Sequence, residues 1–148
     1  MSGLLAVVVS VASVSVVAVF SWWQVRIARE KLRHDLYDRR FAIYMAFYEL
    51  LIAILEKTDV DAELRKANAA RAHSPFLLNA KVGDYLEKLH TEAFRINATN
   101  KLVFEPSLLP PDRIQMAAQL GTDKLAFADR ITELVKEFEP FLKLRDFA

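Results

Sequence analysis

Residues 4–23 read LLAVVVSVASVSVVAVFSWW, twenty residues without a charged side chain. At 1.5 Å per residue this run is about 30 Å long as a helix, the thickness of a bilayer hydrocarbon core. Its serines can return their hydroxyls to their own helix carbonyls. Trp22 and Trp23 close the run where amphipathic rings favour the headgroup zone, and Arg26, Arg29, Lys31 and Arg33 follow directly. The pattern predicts a transmembrane helix. A cleaved signal peptide fits poorly, since the first three residues carry no basic side chain and two tryptophans stand where small residues are needed.

Working outward, the asymmetry is complete. The chain has 148 residues, 20 Lys+Arg and 19 Asp+Glu, and every one of those charges lies after residue 25. The net charge of +1 therefore averages two unlike pieces: an anchor at 1–24 and a charged, balanced part at 25–148. Six basic residues fall between Arg26 and Arg40 and none before the run, which predicts an N-terminus outside and residues 24–148 in the cytoplasm. The sequon Asn97-Ala98-Thr99 then lies in the wrong compartment for glycosylation and reads as chance. The absence of Cys excludes disulfides, thiol nucleophiles and Cys-bound metals. Three Gly leave no phosphate-cradling loop.

The remainder reads as helices. Segment 24–57 holds no Gly or Pro, and Val25, Leu32, Leu36, Ile43, Phe47, Leu50 and Ile54 form one apolar seam with Asp35, Asp38, Glu49 and Glu56 opposite. With no breaker after Trp23, the membrane helix is expected to run on into this one, to about residue 57. Residues 41–55 carry the single charge Glu49, which suits a centrally buried helix better than a second span. A short helix is expected at about 60–72, capped by Thr58 or Asp59 and ended by Ser74-Pro75. Another is expected at 79–104, on a seam of Val82, Leu86, Leu89, Ala93, Ile96 and Val103. Residues 105–111 hold three prolines and read as a loop. A last helix starts at Pro111 or Asp112, with a seam of Ile114, Ala118, Gly121, Leu125, Ala128, Ile131, Val135 and Phe138, and stops at Pro140. Phe141, Leu142 and Leu144 could fold back on the rest. The expected fold is all-α: a transmembrane helix continuing into an antiparallel three- or four-helix bundle with a coiled-coil-like core.

The stretch Lys31-Leu32-Arg33-His34-Asp35-Leu36-Tyr37-Asp38-Arg39-Arg40-Phe41-Ala42-Ile43-Tyr44 resembles a group of small bacterial single-span membrane proteins with no assigned activity. They carry a KLRxDLYDRRFxxY-like segment just after the membrane helix. Phe76-Leu77-Leu78, Asp84-Tyr85-Leu86 and Phe138-Glu139-Pro140-Phe141-Leu142 also look like that group. His34 stands where an apolar residue is expected and Phe141 where Tyr is expected. The resemblance implies topology, a bacterial inner membrane, and no mechanism.

Candidate sites follow from these patterns. Trp22, Trp23, Arg26, Arg29 and Arg33 form a membrane-interface set, where each basic residue near anionic lipid contributes about 1 kcal/mol. Ala6, Ser10, Ser13 and Ser21, with Val17, form a small-residue face suited to helix self-association. Asp35, Arg39 and Arg40 are candidates for structural ion pairs or a partner contact, Asp35 and Arg39 being i,i+4 neighbours. Glu87 and His90 have the Glu-x-x-His spacing of di-iron bundles, but that site needs a second such motif. Glu133 and Glu137 read as a solvated face. Asp35 and Asp38 spoil Tyr37, Arg39, Arg40 and Tyr44 as a nucleic-acid platform. No catalytic, metal or cofactor set emerges, and no enzyme is expected. The expectation is a membrane-anchored binding or scaffolding module, or an accessory subunit, whose partners are the bilayer and another membrane protein or itself. Alternatives are an oligomerising effector acting on the bilayer and an enzyme with an unrecognised site.

Overall fold

The computed structural model describes residues 2–57, 59–106 and 109–143, with side chains from residue 19 onward. Among these residues every regular element is a helix. They are α1 (Ser2–Glu56), α2 (Asp61–Leu77), α3 (Ala80–Val103), α4 (Pro110–Ala128) and α5 (Arg130–Leu142). The chain divides after Leu36 into two compact units.

The first unit is helix throughout its described part, and from residue 19 to 35 every side chain is exposed. Among the described residues no helix is long and apolar enough to cross a membrane. The side chains of residues 4–18, most of the expected span, lie outside the described residues.

The second unit is the bundle. Ile43, Ala46, Phe47, Leu50, Leu51, Ala53 and Ile54 of α1 are all buried, so the nearly uncharged 41–55 stretch is the central core helix, as its composition predicts. Side-chain ties fix the directions of its neighbours. Arg40 reaches Leu77 and Lys66 reaches Glu49, so α1 and α2 run antiparallel. Lys101 pairs with Asp61 and Arg71 with Glu87, so α2 and α3 do the same. Arg95 pairs with Asp123 of α4 and Lys81 with Glu137 of α5, which sets both against α3. The result is an up-down-up-down bundle whose fourth arm is interrupted at Asp129. Asp129 keeps helical angles (φ −63°, ψ −24°), so the interruption is slight.

Several boundaries differ from the sequence reading. Pro75 does not end α2. A proline there removes the N–H that would bond the Arg71 carbonyl. The Ser74 hydroxyl donates to that carbonyl instead, at 2.8 Å, and the helix continues to Leu77. Pro110 does not belong to the loop; it opens α4 one residue before the expected start at Pro111, at a position where a missing N–H costs nothing. Pro140 lies inside α5, which reaches Leu142 because Phe141 and Leu142 pack against the core. The helix expected from residue 111 to 139 is two segments, α4 and α5. Leu144 and the expected cap Thr58 lie outside the described residues. The backbone N-cap of α2 is the buried Val60, and Asp59 Oδ1 accepts from the Asp61 amide at 3.2 Å. Asn79, read as the first residue of a helix, is the N-cap of α3, its Oδ1 accepting from the Val82 amide at 2.9 Å.

The seam of α4 is a correction of another kind. Ile114 and Leu125 are 71% and 75% exposed. The inward residues are Leu120 and Phe127, with Met116 packed beside them. This helix bears two apolar stripes, and periodicity alone cannot choose between them. The face that meets α3 is the one carrying Asp123, held by Arg95.

Candidate ligand-binding grooves

A groove of about 550 Å³ opens between α1 and α2. Its floor is cut by three alanines. Ala42 and Ala46 stand one turn apart on α1, and Ala70 faces them from α2. Ile43 and Leu77 complete the apolar lining. Phe76 forms a wall and is 86% exposed, an unusual position for a phenylalanine.

The antiparallel register gives the groove two unlike ends. One end lies beside the C-terminus of α2, where Arg39, His73 and Phe76 gather. Neither Arg39 nor His73 makes a hydrogen bond or ion pair among the described residues, and both are exposed. The other end is bounded by Lys66, whose charge is met by Glu49. No acidic side chain lines the groove itself. A guanidinium without a partner among the described residues, with an imidazole near it, therefore occupies one end of an apolar slot.

Arg40, adjacent to Arg39, has a structural task. Its Nε donates to the Leu77 carbonyl at 2.9 Å, one of the acceptors left open at the end of α2. Its guanidinium also sits 5.6 Å from the Phe141 ring centroid. It ties α1, α2 and α5 together and sets the cationic end of the groove. The expected carboxylate partner for Arg40 is thus replaced by a backbone carbonyl and an aromatic face. Asp35 and Arg39 are both exposed, Asp35 in the first unit and Arg39 in the second.

A second pocket, about 400 Å³, lies between α2 and α3. Asp61 accepts from Asn97 Nδ2 at 2.8 Å and from Lys101 at 2.5 Å. These two donors, Lys101 first, hold the Asp61 carboxyl below the usual carboxylate range. Asn97 is only 4% exposed, which fits a structural residue and not a glycan acceptor. Its Oδ1 has no partner among the described residues. His90 also lines this pocket, its Nε2 3.2 Å from the Leu64 carbonyl. Glu87 turns away to Arg71 at 3.1 Å, so the Glu-x-x-His spacing does not converge on one point. Among the described residues no group of three or more His, Asp or Glu gathers as a metal-ligand set.

The remaining sequence candidates are dispersed. Trp22, Trp23, Arg26 and Arg29 are exposed on α1. Arg26 lies 3.6 Å from Glu30 and 5.9 Å from the Trp22 ring centroid. Arg33 is exposed and engaged in a contact of its own. Ser21 is exposed, whereas the side chains of Ala6, Ser10 and Ser13 lie outside the described residues. Glu133 and Glu137 are not simply a solvated face. Glu137 takes a forked contact from Lys81 at 2.7 and 2.8 Å, and Glu133 holds Arg130. Nearby, Tyr85 donates to the Arg130 carbonyl at 3.3 Å, and burial pushes its hydroxyl well above the usual phenol range.

The sequence reading expected no groove here: Ala42 and Phe76 entered only through the resemblance, and Ala46, Ala70 and His73 were given no site role. The alanine pair at 42 and 46 was the available signal, but it acquires meaning only when the register with α2 is known. Comparison with protein-family models, characterised proteins and solved structures finds no match for this chain.

Proposed function

We propose that this protein is a membrane-tethered binding module, an accessory or scaffolding subunit held at the cytoplasmic face of a bacterial inner membrane. The observation that carries this reading is the continuity of α1. One unbroken helix of 55 residues holds both the uncharged run of residues 4–23 and the buried core positions Ile43 to Ile54 of the bundle. A bundle built on the same helix as its anchor needs no linker and gains a raised effective concentration toward other membrane partners. The charge asymmetry around residue 25 supports the orientation. The exposed Trp22 and Trp23, followed by Arg26 and Arg29, suit an interfacial belt. The resemblance of residues 31–44 to small single-span bacterial proteins supports the same topology.

The test is fractionation with a topology reporter. Full-length protein should stay with membranes washed in alkaline carbonate, and the double substitution Val8→Arg, Val17→Arg should release it. A reporter active only in the periplasm, fused after Ala148, should be silent. Wild-type protein in the carbonate supernatant, or a bright reporter, overturns the reading.

A further inference from the structure

We propose that the α1–α2 groove is a binding site for a single-chain carboxylate amphiphile, a free fatty acid in chemical class. The volume, about 550 Å³, lies within the roughly 300–1,000 Å³ range of small-molecule sites. The polarity of the groove specifies the ligand. Arg39 and His73 crowd one end without partners among the described residues, the three alanines make an apolar trough beyond them, and the Lys66–Glu49 pair bounds the far end. A molecule with one anionic head and one apolar tail matches that order. A guanidinium fork takes a carboxylate in bidentate fashion, which fits Arg39 to the head.

The slot is made by the absence of side chains at Ala42, Ala46 and Ala70, between two helices that already pack together. The exposed Phe76 ring at the cationic end is positioned to cover the first carbons of a tail, which accounts for a large apolar side chain left 86% exposed. Arg40, bound to Leu77 and stacked by Phe141, is already committed and holds this end of the groove open.

The inference rests on the membrane-tethered reading for the supply of ligand, while the site lies wholly within the bundle. The experiment separates the two. Full-length protein is reconstituted into phosphatidylcholine vesicles containing a diazirine-bearing palmitic acid, floated on a density gradient, irradiated and digested. Flotation tests the anchor; the position of the adducts tests the groove. Adducts are expected in peptides covering residues 42–46 and 70–77. Arg39→Gln should reduce them roughly tenfold, the loss of one charge-assisted contact. Ala42→Phe, at an exposed position that leaves the core intact, should abolish them, as should Ala70→Leu. Excess unlabelled palmitate should compete and methyl palmitate should not. Adducts confined to residues before 37, equal competition by the methyl ester, competition by lysophosphatidic acid but not palmitate, or full labelling of Ala42→Phe would each overturn the proposal. Labelling of the groove in protein that fails to float would retain the site and sink the anchor.

Discussion

The Ser74 hydroxyl donates to the Arg71 carbonyl at 2.8 Å, the same acceptor that Pro75 deprives of its helical partner. Ser74 is 1% exposed, so its hydroxyl is turned to this bond and away from solvent. The pair explains how a Ser-Pro dipeptide lies inside a helix. Ser74→Ala should cost about 1 kcal/mol, the net worth of one part-buried hydrogen bond. In a Pro75→Ala background, where the residue-75 amide can serve Arg71, the same change should cost markedly less. Urea unfolding of the four variants gives the coupling directly. Equal cost in both backgrounds would remove the compensation argument.

Arg40 offers a second test. Its bond to the Leu77 carbonyl and its place beside Phe141 predict that Arg40→Ala loses about 1–2 kcal/mol of stability. Arg40→Lys should recover only part, because an ammonium lacks the planar fork that serves carbonyl and ring together. Thermal unfolding by circular dichroism reads both. A surface-like response, within about 0.5 kcal/mol, would show that α2 needs no such tie.

Leu120 and Leu125 discriminate the two stripes of α4. Leu120 is buried and Leu125 is 75% exposed. Leu120→Ala should destabilise by about 2–4 kcal/mol and Leu125→Ala by no more than about 0.5. The reverse ranking in chemical denaturation would turn α4 over.

Acid should act on Asp61. Its carboxyl is held below the ordinary range by Lys101 and then by Asn97, so the unfolded chain binds the proton more readily than the folded one. The stability this provides is fully present above the ordinary Asp value of about 3.9 and is lost as pH falls through the lower folded value. Asp61→Asn has no such proton to bind. Its melting temperature should therefore decline less steeply than that of wild type below about pH 4. Parallel curves for the two proteins would exclude Asp61 from the acid transition.

The sequence by itself determined what one-dimensional periodicity and charge can carry. Uncharged residues 4–23 and the breaker-free run to residue 57 predicted one long helix, and α1 is unbroken from Ser2 to Glu56. The stretch 41–55 predicted the central core helix because it is apolar nearly all round, and the seam from Val82 to Val103 predicted α3 because only one of its faces could be buried. The tertiary structure decided what depends on neighbours. Which stripe of α4 turns inward was settled by the meeting with α3, since both stripes are apolar. Whether Pro75 ends a helix was settled by the buried Ser74 hydroxyl. The groove is the clearest case. Ala42, Ala46 and Ala70 are ordinary helix-forming residues until the Arg40–Leu77 and Lys66–Glu49 ties set α1 against α2 in one register. Only then do three missing side chains coincide, with Arg39 and His73 at one end, because a cavity belongs to the space between helices and not to either sequence alone.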